Sequence, residues 1–102
     1  MDDYRTISFE IGMAHDRSFE QPFHALDHLK RAFNKLNDVE DDKDFQTYAG
    51  QIIFVLNDVQ KGVGVKERFA PDISFLEDGV ERLAKGRAVT VTPMSPPPLD
   101  PS

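Results

Sequence analysis

A regular stripe of apolar residues in the middle of the chain most constrains the fold. It consists of Phe45, Tyr48, Ala49, Ile52, Ile53, Leu56 and Val59. Steps of three and four place these side chains on one face of an α-helix, so the stripe predicts an amphipathic helix over residues 41–61. The preceding aspartates suit the positive N-terminal end of a helix. Gly62 is a favourable stop, because glycine adopts the left-handed C-cap conformation without strain.

Two further segments have the same periodicity. The first predicts a helix over about residues 19–37, entered through a capping box formed by Ser18 and Gln21. Its apolar face comprises Phe23, Leu26, Leu29, Phe33 and Leu36. The second begins with another capping-box spacing at Ser74 and predicts a shorter helix that ends at Gly86.

The segments outside these helices have strand patterns. Near the N-terminus, apolar residues alternate with polar or small ones, which is typical of a half-buried strand: Ile7, Phe9, Ile11 and Met13. Residues 88–92, AVTVT, are rich in β-branched side chains and also predict a strand. The segment GVGVKERF, residues 62–69, is ambiguous between a loop and a short strand.

Together these elements predict an α+β fold. Three amphipathic helices would pack on a small sheet formed by the N-terminal and C-terminal strands, because isolated strands leave their backbone groups unpaired. A three-helix bundle with extended termini is the alternative. A length of 102 residues fits one domain, which we expect over residues 1–92. A proline-rich tail over residues 93–102 follows, and its consecutive prolines require an extended backbone.

Composition limits the class of function. The net charge is −6, which opposes binding to nucleic acid and anionic membranes and favours a partner protein with a basic surface. The absence of cysteine excludes disulfides and cysteine nucleophiles. The acidic start MDDYRTISF does not resemble a signal peptide, and the longest purely apolar run, residues 52–56, is too short to span a bilayer. We therefore expect a cytoplasmic protein.

The histidines are the closest approach to a metal site. His24 and His28 are four residues apart on a predicted helix, and His15 could join them if the preceding loop folds back. Both helical histidines project away from the apolar face, with His28 near its boundary. Arg31 and Lys35 share that outward strip and would repel a divalent cation. We therefore predict solvated histidines, no metal and no other cofactor.

Other motifs fail on their details. The acidic run over residues 37–44 alternates as calcium ligands do, but Lys43 replaces the glycine of an EF-hand and Ala49 replaces its bidentate glutamate. The glycines of GVGVK, residues 62–66, follow a helix and do not connect a strand to a helix, as a phosphate-binding loop would. No nucleophile-elbow motif is present. We expect a protein that is not an enzyme.

Phe54 departs from the pattern of the central helix. It projects opposite the apolar stripe, among Gly50, Asn57 and Asp58. A phenylalanine beside a small residue on a polar helix face is typical of contact with a second element. We therefore expect these four residues in a partner interface. The alternatives for Phe54 are an isolated position on the surface, which is common for a single aromatic, and cover by the tail.

The tail is a second candidate contact. Pro93 and Pro96 have the P-x-x-P spacing that docks into aromatic-lined grooves, although a disordered terminus is an equally simple interpretation. The expected function is a small acidic protein-binding module of the inhibitor, immunity, adaptor or accessory-subunit type, acting through surface complementarity. The alternatives are a ligand- or metal-binding domain that uses the histidines, and a structural homo-oligomer such as a homodimer.

Overall fold

Five α-helices make up most of the part of the chain that the structure describes. The computed structural model describes residues 2–97, with side chains from Arg5 onward. The helices are α1 (Asp2–Asp16), α2 (Pro22–Leu36), α3 (Asp42–Val59), the single-turn α4 (Val65–Arg68) and α5 (Ala70–Arg87). Residues 89–97, here called the C-terminal segment, have no regular secondary structure, and residues 2–97 contain no β-strand. The rest of the predicted tail, residues 98–102, lies outside the described residues.

The predicted α+β fold is wrong, beginning with its N-terminal strand. Residues 7–13 belong to α1, where Ile7 and Ile11 are fully buried and Phe9 is 53% exposed. The segment satisfies both the strand period and the helix period, and packing of α1 against α2 selects the helix. The alternative, a three-helix bundle with extended termini, is also wrong, because α1 and α4 raise the number of helices.

The predicted C-terminal strand over residues 88–92 is also wrong. Ala88 ends α5 in the left-handed conformation, with φ 58°, and its N–H donates to carbonyl oxygens of the last turn. The chain then runs beside α3, where the Gln46 side chain donates to the Thr90 carbonyl oxygen over 2.8 Å. With α1 helical, the described chain offers no strand for pairing, so α3 supplies the hydrogen-bond partner.

The N-terminal ends of α2 and α3 differ in how well the sequence predicts them. Asp41 caps α3 as expected, since its carboxylate accepts a hydrogen bond from the Asp44 N–H over 3.0 Å. The predicted capping box of α2 does not form. The Ser18 hydroxyl instead donates to the His15 carbonyl oxygen at the end of α1, and Gln21 occupies the N-cap without a side-chain bond.

The glycines do not end helices where predicted. The left-handed conformation occurs at Gly64, with φ 73°, and not at Gly62. The ambiguous residues 62–69 form a turn followed by α4, not a strand. Helix α5 begins before Ser74 and continues past Gly86, so it is longer than the sequence indicates.

The core surrounds α3. The predicted stripe is largely confirmed, because its fully buried members are Phe45, Ala49, Ile52, Leu56 and Val59. Val55, which the stripe omits, is buried as well. The reason is that α1, α2 and α5 all contact α3, so more than one of its faces is covered.

Arg87 attaches the end of α5 to the connection between α2 and α3. Its guanidinium lies 4.4 Å from the ring centroid of Phe45, a cation–π contact. It donates hydrogen bonds to the carbonyl oxygens of Val39 and Glu40 and to the carboxylate of Asp42. The point at which the C-terminal segment leaves α5 is thereby fixed.

Candidate functional site

Two of the four predicted partner residues of α3, Phe54 and Asp58, contact α1. The half-buried ring of Phe54 meets the imidazole of His15 edge-on, with centroids 6.0 Å apart. The Asp58 carboxylate lies 3.7 Å from His15 Nε2 and 3.1 Å from Lys61 Nζ. Asn57 is exposed. The pattern of α3 alone could not indicate that α1 lies there, because α1 was predicted to be a strand.

Gly50 is buried because the C-terminal segment crosses α3 at this residue. The Met94 N–H donates to the Gly50 carbonyl oxygen over 2.9 Å. A Cβ at position 50 would collide with the Thr92 carbonyl oxygen. Pro96 is buried and Pro93 is exposed. Gly50 and Pro96 thus have intramolecular contacts, and the partner-binding role assigned to these residues stays a prediction.

The histidines do not converge on one site. His24 is exposed and touches the ring of Phe23, whereas His28 Nδ1 lies 2.6 Å from Glu10 Oε1 across the α1–α2 interface. The His28 and Glu10 side chains are 16% and 13% exposed, so His28 is not in the predicted solvent position. Within residues 2–97, no group of three or more histidine, aspartate or glutamate side chains is arranged to hold a metal ion.

An aromatic surface that the sequence did not indicate runs along α2 and α5. Phe23, at the start of α2, is 63% exposed, and its ring centroid lies 6.5 Å from that of Phe69. Phe75 of α5 is 48% exposed and meets the Phe33 ring edge-on, with centroids 5.4 Å apart. Each exposed ring therefore contacts a ring of the neighbouring element.

An ion pair also connects the two elements. Lys30 of α2 and Asp72 of α5 form it over 2.5 Å. In sequence, Lys30 lies between Phe23 and Phe33, and Asp72 lies between Phe69 and Phe75. The Arg68 guanidinium lies 5.5 Å from the Phe69 ring centroid. We call this region the α2–α5 aromatic surface and define it by Phe23, Phe33, Phe69, Phe75, Lys30 and Asp72.

Two other exposed phenylalanines provide a contrast. Phe9 on α1 and Phe19 in the turn after it are 53% and 65% exposed. Neither has a ring contact with another aromatic side chain of the described residues. Isolated exposed aromatics are common on protein surfaces, whereas aromatic side chains in contact gain energy beyond the area that they bury.

A groove of about 420 Å³ lies between α5 and the C-terminal segment. Ile53, Val80 and Ala84 contribute apolar side chains to it. The α5 rim contains Glu77, Glu81 and Lys85, and the opposite rim contains Val89, Thr90 and Val91. We call it the C-terminal groove. The sequence did not predict this groove, because residues 88–92 were expected to form a strand within a sheet and not the rim of a groove.

Comparison with known proteins does not supply a function. No protein-family model, curated protein or solved structure matches the chain. No helix within residues 2–97 is long and apolar enough to cross a membrane. A fold alone can carry many functions, whereas the chemistry of a surface limits what it can bind. The aromatic surface and the groove are therefore the two candidates.

Proposed function

We propose that this chain is a non-enzymatic protein-binding module whose principal contact is the α2–α5 aromatic surface. The observation that supports this is the combination of exposure and ring contact at Phe23 and Phe75. Each ring exposes a large area and also contacts a second ring from the neighbouring element. Aromatic side chains have few rotatable bonds and so lose little conformational entropy on binding, and a few such anchors commonly dominate the binding energy of an interface.

The expected partner is a protein with a basic surface. A net charge of −6 attracts such a partner over long distances and accelerates association. The exposed rings of Phe23 and Phe75 would supply the short-range affinity when the partner covers them. The role that fits is that of an inhibitor, immunity protein, adaptor or accessory subunit. A cytoplasmic location is part of this proposal.

The first test is to isolate the partner from the native cells. The tagged full chain is purified gently, and proteins that co-elute in stoichiometric amounts are identified by mass spectrometry. Phe23→Asp and Phe75→Asp are each expected to weaken binding of that partner by about tenfold or more, which corresponds to about 1.4 kcal/mol. Both variants should keep the helical circular dichroism of the wild type, because the changed side chains are largely exposed.

Phe9→Asp is the matched control. It introduces the same charge at a similarly exposed phenylalanine that has no ring contact. We expect its affinity to stay within about twofold of the wild type. Equal loss of affinity in Phe9→Asp, or no loss in Phe23→Asp and Phe75→Asp, would show that the aromatic surface is not the interface.

Two other results would assign the chain to a different class. A solution mass well above 11.6 kDa, with no heterologous partner, would indicate a structural homo-oligomer. A stoichiometric metal after purification without an affinity tag, lost in His28→Ala, would indicate a metal-binding domain. Either result would contradict the proposed heterologous binding module.

A further inference from the structure

We infer that the C-terminal groove docks an extended, basic peptide segment of a partner protein, at a site separate from the α2–α5 aromatic surface. A volume of about 420 Å³ is within the usual range for binding clefts. Its apolar side chains, those of Ile53, Val80 and Ala84, can receive an apolar side chain of the peptide. The groove differs from a simple apolar depression in that one of its rims, residues 89–91, is a segment without regular secondary structure.

Some backbone groups of the C-terminal segment are bonded to α3 and others are free. The Thr90 carbonyl oxygen accepts a hydrogen bond from the Gln46 side chain, and the Met94 N–H donates to the Gly50 carbonyl oxygen. Val91 lies between them and lines the groove. No group of the described residues bonds its N–H or its C=O.

These free groups can pair with a peptide that adds itself as a strand. Main-chain hydrogen bonds give such a complex its affinity, and alternate side chains give it specificity. Pro93 has no N–H, so it ends the available edge just after Val91. Two copies of this chain each have a net charge of −6 and repel one another, so the expected occupant is a segment of another protein.

The charges on the α5 rim select a basic peptide. The Glu81 carboxylate lies 4.0 Å from Lys85 Nζ, and both side chains are mostly exposed, so this ion pair leaves Glu81 accessible to another cation. The Glu77 carboxylate accepts a hydrogen bond from the neutral side chain of Gln60 and has no ion pair with a cation of the described residues. Two carboxylates against one ammonium favour lysine or arginine on either side of the apolar side chain.

A model peptide tests this inference. The probe is the terminally blocked peptide Lys-Val-Lys-Val-Lys, titrated into the ¹⁵N-labelled full chain, with Glu-Val-Glu-Val-Glu as the reverse-charge control. We expect the basic peptide to shift the amide signal of Val91 with a dissociation constant below about 1 mM, and the acidic peptide to shift none. Methylating the backbone nitrogens of the basic peptide should weaken binding by about tenfold, because it removes the donors of the added strand.

Two charge reversals on α5 distinguish binding of the peptide in the groove from its general electrostatic attraction to an acidic protein. Glu81→Lys is expected to weaken binding about tenfold, whereas Asp78→Lys, which makes the same change outside the groove, should weaken it less than about threefold. Equal loss in both variants, or no shift of Val91 at millimolar peptide, would overturn the inference. Phe23→Asp should leave peptide binding unchanged, so failure of the groove and failure of the proposed aromatic interface give different results.

Discussion

The amide N–H of Met94 donates a hydrogen bond to the carbonyl oxygen of Gly50, 2.9 Å away, and holds the C-terminal segment on α3. Gly50→Ala is expected to destabilise the protein by about 1–3 kcal/mol, because a Cβ would overlap the Thr92 carbonyl oxygen and overpack the crossing. Denaturation by urea, followed by circular dichroism, measures this change.

A shortened chain that lacks residues 89–102 is the control for Gly50→Ala. Without the crossing segment, position 50 is an ordinary helical site, and alanine is favoured over glycine by about 1 kcal/mol. In the shortened chain, Gly50→Ala should therefore raise the free energy of unfolding, whereas in the full chain it lowers it. An equal destabilisation in the full and shortened chains would contradict the proposed collision.

Two glycines of α5 should respond in opposite ways to alanine. A Cβ at Gly79 would enter the space of the Phe33 ring, whereas one at Gly86 would meet no atom within 4 Å. We expect Gly79→Ala to destabilise by about 1–3 kcal/mol and Gly86→Ala to stabilise by about 0.5–1 kcal/mol. If the melting temperatures of both variants rise, helix propensity, and not packing on Phe33, controls both sites. If both fall, the expected stabilisation at Gly86 is contradicted.

The Glu10–His28 hydrogen bond should contribute to stability, although neither residue is expected to act on a ligand. His28→Ala removes the partner of a largely buried carboxylate and is expected to cost about 1–3 kcal/mol. His24→Ala, at an exposed position of the same helix, should stay within about 0.5 kcal/mol of the wild type. A double-mutant cycle with Glu10→Ala measures the coupling, and strict additivity would contradict the bond.

Arg87→Lys is expected to destabilise the chain by about 1–2 kcal/mol, because lysine cannot reproduce the planar set of donors that reaches the α2–α3 connection. The contact with the Phe45 ring would also be weakened. Arg82→Lys, on the exposed side of α5, is the control and should be nearly neutral. Similar losses for both substitutions would argue against a specific role of Arg87.

The central helix could be predicted because its signals agree. The stripe from Phe45 to Val59 has one clear period, and Asp41 supplies a side-chain cap at its start. Residues 7–13 failed because they fit two periods, and only packing on α2 decides between them. Residues 88–92 have strand-forming composition, but a strand needs a partner strand, and α1 does not provide one.

The candidate surfaces were less predictable than the helices. Phe23 and Leu29 belong to the same apolar pattern, yet Leu29 is fully buried and Phe23 is largely exposed. Periodicity gives the direction of a side chain on its helix, but it does not say where the neighbouring helix ends. Phe54 shows the converse, since a position opposite the stripe is covered by His15 of α1.

The hydrogen bond between Gln46 and Thr90 joins residues that are 44 positions apart, and this separation affects when the contact forms during folding. Contacts that close long loops form late in folding, whereas neighbouring helices such as α1 and α2 meet early. A segment held by few hydrogen bonds also opens locally without global unfolding. The amide of Met94 should therefore exchange with deuterium faster than those of α3. The C-terminal segment, which forms one rim of the C-terminal groove, should detach from α3 and reattach many times while the helices stay folded.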